Sequence, residues 1–551
     1  MTRILVVGGA GVFGSRLVEG LAATTGAEII VAGRDAARGA AAVTAIRTRH
    51  PAARIEALTL DARTVTPAAL LSTRAAIVVD AAGPFQGAAP VLAQTAIAAG
   101  IHYIDLADAR DFVADFPALD AAARAAGVVA ITGASSTPAL SHAVLDRLTT
   151  GWRRIDRVEV GISPGNRAPR GRSVVAAILS WAGRPVRVFD GGGWTSRPGW
   201  SGTVTRGIGD LGRRRLALAE TPDLDLLAAR YRPRDAALFR AGLELRILHD
   251  GLALAAWLPR LGLVASLAPL AGPARWLAAA LDGFGSDRGG MLVEASGRDR
   301  DDRPAIATWS LAAEAGDGPC VPTLPALAVL RRLLEAPETL EPGARPAAGV
   351  LDLEAITTEF ARLRMRTAVA TLHPLAPFEA ALAGRFDALP GPVQAAHRGG
   401  PVTRLAGTAT VEGAATPAGR LVARLVGFPP AGAGVPVRVV KRRQADGTEV
   451  WERDFAGRRF SSHLAPLGPG RVEERFGPLT FELALGVDAG RLTIRVAGWR
   501  IGPLRLPRRL APASEASEGV DPDGRFLFDV PIAVPLLGRL VRYRGRLAIE
   551  V

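Results

Sequence analysis

Short apolar runs alternating with stretches of near-helical period dominate the first 130 positions. Ile4-Leu5-Val6-Val7 is apolar throughout, as strands of a parallel sheet covered on both faces tend to be. A glycine-rich turn and a helix from Ser15 follow. Further strands are expected over 28–32, 54–60, 75–80, 102–106 and 128–131, with helices over 88–99 and 117–126 between the later ones. Strands alternating with helices predict a doubly wound parallel sheet with helices on both faces. From Thr132 the rhythm changes to a turn over 133–138, a helix over 139–148, a strand over 157–162 and a helix over 172–181. Beyond Pro342-Gly343-Ala344-Arg345-Pro346 and a helix over 353–363, alternation with period two takes over. The runs 407–413, 435–440, 449–455, 492–496 and 525–530 predict an antiparallel sheet curled into a half-barrel.

The most apolar segment is 251–283. Its longest uncharged run, 261–274, falls short of the ~18 residues a spanning helix needs, and Pro269 and Pro273 interrupt it. Two readings stand: buried helices lining a pocket, or a hairpin lying on a membrane face with Trp257 and Trp276 near the interface. Either makes an apolar substrate more plausible than a small polar one.

The first turn carries the clearest chemistry. Gly9, Gly11 and Gly14 fit the spacing G-x-G-x-x-G between a strand and a helix. One glycine permits the tight turn, the next lets the backbone approach a pyrophosphate, and the third lets helix pack on strand. The free N–H groups at the helix start, around Val12 and Phe13, face the phosphates. At the end of the second strand an NAD enzyme usually places an acid for the ribose 2′-OH. Here Gly33 opens space and the planar fork of Arg34 suits a 2′-phosphate, which favours NADP. Asp35 competes, since it would serve NAD if the strand ended one residue later. Asp61 ends the third strand beside the adenine edge, and Ala82-Gly83-Pro84 forms a rigid turn beside the cofactor crevice.

Composition narrows the alternatives. At 551 residues the chain is too long for one core. Its formal charge of +14 invites a nucleic-acid partner, but the 67 basic residues include a single lysine, Lys441, and the arginines are scattered. With Ala, Gly and Pro in excess, that pattern reflects the bias of a GC-rich bacterial genome, and nucleic-acid binding is not expected. The lone lysine also rules out a Tyr-x-x-x-Lys pair in the nucleotide domain and a Walker A loop. Cys320 is the only cysteine, so no intrachain disulfide forms, and with no signal peptide expected a cytoplasmic setting fits. His373, His397 and His463, with Glu515 and Glu518, lack metal-ligand spacing, and no metal is expected.

Gly-Gly-Ala-Gly-Val-Phe-Gly, then Ala-Gly-Arg, Ala-Gly-Pro-Phe and Gly-Ile-His-Tyr-Ile-Asp-Leu at 100–106, resemble in that order the saccharopine dehydrogenase-like family. The resemblance implies an NADP-binding Rossmann domain carrying an inserted α+β domain that covers the nicotinamide and often mediates dimerisation. It also implies a return of the chain against the first domain through Gly316-Asp317-Gly318-Pro319 and a helix over 326–334. The last third is similar to an uncharacterised domain fused to such oxidoreductases, on Trp451-Glu452-Arg453-Asp454-Phe455, Glu474-Arg475-Phe476-Gly477-Pro478 and Tyr543-Arg544-Gly545. The expected organisation is therefore a Rossmann domain over 1–133, an inserted α+β domain with its return helix over 134–365, and a β-rich domain over 366–551.

A bound nicotinamide implies hydride transfer, leaving one proton for the protein to handle. Alternation in the strand over 102–106 puts Tyr103 and Asp105 on one face, where they could act together, Asp105 orienting a donor or acceptor. The plainer reading has Tyr103 packing on a helix and Asp105 capping the next turn. Saccharopine needs a polar pocket, whereas the middle segment is apolar. Relatives that reduce enoyl groups in lipid synthesis point instead to a lipid-like carbonyl or enoyl substrate. The alternative is a non-catalytic, nucleotide-gated protein that binds lipid or sits on the membrane through 251–283. Both readings allow a homodimer.

Overall fold

β1 (Arg3–Val7) opens the chain as a five-residue run whose last four members are buried. The structure, a computed structural model, describes residues 2–169 and 171–550. β2 (Glu28–Gly33), β3 (Ile55–Thr59), β4 (Ile77–Asp80), β5 (His102–Asp105) and β6 (Val129–Thr132) complete the expected series. They lie in the order β3-β2-β1-β4-β5-β6, every neighbouring pair parallel. The order reverses between β1 and β4, and ligands of open α/β sheets bind at such a switch, outside the carboxyl ends of the strands. Ile4, Leu5, Val6, Val78, Val79 and Ile104 are wholly buried, each contributing roughly 1.5–3 kcal/mol.

A seventh strand comes from far along the chain. Gly343–Pro346 pairs in parallel with β6, where the sequence gives no strand signal because the segment is four residues long and ends on proline. The returning helix Leu324–Glu335 buries its apolar stripe. Helix α1 (Val12–Thr24) receives it at Gly20, where a Cβ would lie 2.5 Å from Leu327 Cδ1.

The chain divides into two compact units, one of Met1–Thr150, Arg157–Ala295 and Ala307–Ala370, the other of Gly151–Asp156, Ser296–Ile306 and Thr371–Val551. A second, mixed sheet follows the first in sequence. Its central strand Ala236–Ala241 runs parallel to Arg154–Ser163 and antiparallel to Arg213–Leu218. Helices Arg172–Trp181, Arg246–Ala255 and Ala271–Ala280 accompany this sheet. A small core of Leu179, Trp200, Ala256, Leu267 and Ala271 holds them together.

Here the buried-helix reading of 251–283 needs correction. Leu254, Trp257, Leu258, Leu261, Leu263, Leu270, Trp276 and Leu277 are all exposed. Three short helices around so small a core bury one row of side chains and leave the opposite rows without a partner. No helix among the described residues is long and apolar enough to cross a membrane.

The last third forms an eleven-stranded antiparallel sheet that closes on itself. Leu479–Asp488 pairs with Arg491–Ile501 to complete the ring, leaving only the short Leu504–Arg505 outside it. A closed barrel replaces the expected half-barrel. Without that pair, Leu479–Asp488 and Arg491–Ile501 would leave two long unpaired edges. Phe378, Phe386 and Val393, from the helical stretch before the first barrel strand, join the barrel core.

Candidate active site

The turn after β1 is built so that backbone alone occupies the switch point. Gly8 has φ +77°, and a Cβ there would meet Ala81 and Ala82 at 2.7 Å, so the turns after β1 and β4 nearly touch. At Gly14 a Cβ would lie 2.2 Å from Gly8 O. Gly9 sits against Val6 and Val31, while Gly11 is the N-cap of α1 and offers no side-chain cap. The first N–H groups of α1, beginning with Val12 and Phe13, therefore point out of a cradle that any side chain would fill, which fits a dinucleotide pyrophosphate.

The adenosine side lies over β2 and β3. Gly33 ends β2 with open space around it, and Arg34 follows, exposed. Asp35 is engaged elsewhere: it caps helix α2 (Ala36–Arg49), accepting from Arg38 N at 3.0 Å. That removes the competing NAD reading of Asp35, since its carboxylate serves its own helix. Asp61 accepts from Arg63 Nη2 at 2.8 Å. The Arg63 hydrogen bonds, with the charge of nearby Arg34 added, hold the Asp61 carboxyl down at about 2. Two guanidinium groups, Arg34 and Arg63, thus lie near the Asp61 carboxylate. Arg63 was not anticipated from sequence, because it lies beyond the strand end where such residues are sought.

On the nicotinamide side, Ala82-Gly83-Pro84 forms the turn after β4, with Ala82 N donating to Asp80 Oδ1 at 2.9 Å. Tyr103 and Asp105 are both fully buried. Tyr103 stacks on Phe116 with ring centroids 5.9 Å apart. Asp105 Oδ1 accepts from Gly133 N at 2.7 Å, from Ala107 N at 2.9 Å and from Thr132 Oγ1 at 2.9 Å, tying the ends of β5 and β6 together. Burial pushes Asp105 up to about 7 and Asp80 to about 6. Both carboxyl groups shape the turns below the crevice.

Beside these turns lies a cavity of about 540 Å³, whose lining includes neither Tyr103 nor Asp105. Phe13 of the glycine turn, Gln86 from the loop after β4, and Asp108 from the loop after β5 form its wall toward the nucleotide cradle. Gln86 Nε2 donates to Asp108 Oδ1 at 3.1 Å. Asp108 faces the open cavity but is otherwise walled by protein, and that burial raises its carboxyl pKa. Farther along, Arg110 clamps Asp225 with two 2.5 Å bonds and reaches Glu220 at 3.3 Å. Burial outweighs that neighbour and pushes Glu220 up to about 6. The opposite wall is apolar, with Val174, Ile178, Trp181, Trp200, Phe239 and Leu243. The motif over 100–106 ends two residues short of Asp108. Glu220 carried no signal, because only the fold brings it back to β5. Among the described residues no three His, Cys, Asp or Glu side chains gather as a metal site would require.

Fold and cradle together define a Rossmann-type, dinucleotide-binding oxidoreductase domain. Residues 4–131 match the saccharopine dehydrogenase NADP binding domain family, and the cofactor is NADP. Residues 389–547 match a domain of unknown function, DUF4166. Similar solved structures include saccharopine dehydrogenase (L-Glu forming) from Saccharomyces cerevisiae, at 12% identity and a TM-score of 0.49, covering 67% of this chain and 100% of that one. GenD2 from gentamicin A biosynthesis, in complex with NAD, is similar at 20% identity and a TM-score of 0.24, covering 44% of this chain and 65% of that one. No protein of curated function matches the chain.

Proposed function

We propose that the protein is a cytoplasmic NADPH-dependent reductase of an apolar, lipid-like carbonyl or enoyl substrate. The observation that carries this reading is the cavity: it begins at Phe13 beside the nucleotide cradle, bears carboxyl groups at that end, and is otherwise lined mainly by apolar side chains. When bound, NADPH supplies a hydride. Arg34 and Arg63 hold the 2′-phosphate end, and the glycine turn with the first N–H groups of α1 holds the pyrophosphate. Asp108, kept in place by Gln86, gives the proton that accompanies the hydride. A carboxyl group with a raised pKa retains that proton nearer neutral pH, where a general acid works best. Trp181, Trp200 and Leu243 exclude water and grip the apolar portion of the substrate. Tyr103 and Asp105 act through the backbone they position, Asp105 by fixing the turns from which Asp108 projects.

A panel of long-chain ketones, aldehydes and enoyl thioesters, with NADPH consumption as readout, tests the reading. Turnover that falls about a hundredfold or more in Asp108→Asn with unchanged NADPH binding is expected. If the folded protein binds NADPH but consumes it with no member of the panel, the reductase reading fails. The nucleotide-gated lipid-binding alternative then takes its place.

A further inference from the structure

Apolar side chains on the helices over 246–284 point to solvent in unusual number. Ile247 is 71% exposed, Leu254 72%, Trp276 72% and Phe284 81%, with Trp257, Leu258, Leu261, Leu263, Leu270 and Leu277 exposed between them. Contiguous apolar surface of that extent marks a docking face. The platform is held firmly from within. Trp200 Nε1 donates to His249 O at 3.2 Å, and Ala256, Leu267 and Ala271 pack into the core below.

Charge identifies the occupant. Between 251 and 281 the only ionisable side chains are Arg260 and Arg275, both exposed. Arg260 lies over the Trp257 ring at 4.2 Å, an arrangement that suits a headgroup layer, where an aromatic ring and a cation sit side by side. The flanking acids are occupied inward or sideways, Asp250 by Arg215 at 2.6 Å and Asp282 by Asn166 at 2.9 Å. A second copy of this chain would bring the same two cations to a face with no carboxylate to meet them. An anionic lipid surface offers hydrocarbon to the leucines and phosphate or carboxylate to the arginines.

We infer that residues 246–284 dock the protein peripherally on an anionic bilayer, and that the cavity receives its apolar substrate from that side. Ile178, Ala182 and Trp200 belong both to the cavity lining and to the core beneath the docking face, so one layer of helix separates the two. The substrate route rests on the reductase reading, whereas the docking does not.

Flotation of the full-length protein with phosphatidylcholine vesicles, with and without phosphatidylserine, tests the docking. NADPH binding is followed on the same samples by fluorescence. The wild type is expected to float with the phosphatidylserine vesicles and to be released by salt. Arg260→Glu with Arg275→Glu should weaken partitioning by at least about tenfold. Trp276→Asp with Phe284→Asp, at exposed positions that the fold does not need, should abolish it while NADPH still binds. Three results would overturn the inference: no flotation with either vesicle, flotation indifferent to both double variants, or a wild-type dimer that Trp276→Asp with Phe284→Asp turns into monomers. Failure to bind NADPH with flotation intact would sink the reductase reading alone.

Discussion

The parallel sheet and the barrel both bury charge-bearing side chains, but they neutralise them differently. Inside the barrel, cations and carboxylates meet in pairs. Arg443 Nε donates to Glu449 at 3.0 Å, Arg453 to Glu474 at 3.0 Å, and His397 lies 2.5 Å from Glu518. Lys441, the chain's single lysine, donates to Ala396 O at 2.9 Å and lies 3.8 Å from the Trp451 ring centroid. Such a cluster fixes register and closure, and its donors and acceptors are spent on one another. At the carboxyl ends of β4 and β5, by contrast, Asp80 and Asp105 are buried without a cation and rely on backbone N–H groups. Asp108 continues that series at the cavity wall, where Gln86 Nε2 meets it. Compensated charge holds a structure together. Uncompensated carboxyl groups collect at the turns after β4 and β5.

The largest expected effect breaks the cradle on the uncompensated side. Gly14→Val should lower NADPH affinity by a factor on the order of a hundred or more, because its Cβ would lie 2.2 Å from Gly8 O. Calorimetric titration checks this, with circular dichroism to confirm that the sheet persists. Unchanged affinity would dissolve the contrast between the two regions. Next comes the division of labour among the carboxyl groups. Asp108→Asn should cost about a hundredfold or more in turnover, whereas Asp105→Asn should leave turnover within a few-fold, since an amide oxygen can still accept the Gly133, Ala107 and Thr132 bonds. The reverse order would make Asp105 the proton donor. Third, Arg34→Ala should weaken NADPH by roughly tenfold to a hundredfold and leave NADH unaffected, the worth of one charge-assisted contact.

The smallest effect distinguishes the two regions by the sign of their pH dependence. Folded Asp80 and Asp105 keep their protons to about 6 and about 7, against 3.8 for an ordinary aspartate. The native state therefore binds more protons across that window, and stability falls as pH rises from about 4 to about 7. Asp105→Asn should flatten the slope. In the barrel, burial brings Lys441 down to about 8 from 10.5, so the unfolded state binds more protons between those values and stability rises with pH there. Chemical denaturation followed at a series of pH values reads both slopes, and Lys441→Met should remove the alkaline one.

The nucleotide sheet was legible because all its information is local: apolar strands, a spaced glycine turn, and an arginine at the end of β2. The seventh strand was not, since Gly343–Pro346 is a strand only by virtue of β6 alongside it. The barrel strands showed in their alternation, but closure depends on pairing between Val402–Glu412 and Gly538–Ile549, which no local pattern encodes. The cavity's polar end was read only in part. Tyr103 and Asp105 stood out as a titratable pair on a strand, yet a strand in the middle of a covered sheet turns both faces inward. The residues that reach open space, Gln86 and Asp108, lie in the loops just beyond. The segment 251–283 shows that apolar composition alone does not decide between a core and a surface.

Transfer of deuterium from NADPH deuterated on its nicotinamide ring tests the central claim most directly. The protein would be incubated with a long-chain enoyl or carbonyl compound and the product read by mass spectrometry. Deuterium in the product, with a yield that rises with chain length and collapses in Asp108→Asn, is the predicted result. Binding of NADPH without deuterium in any product would contradict it.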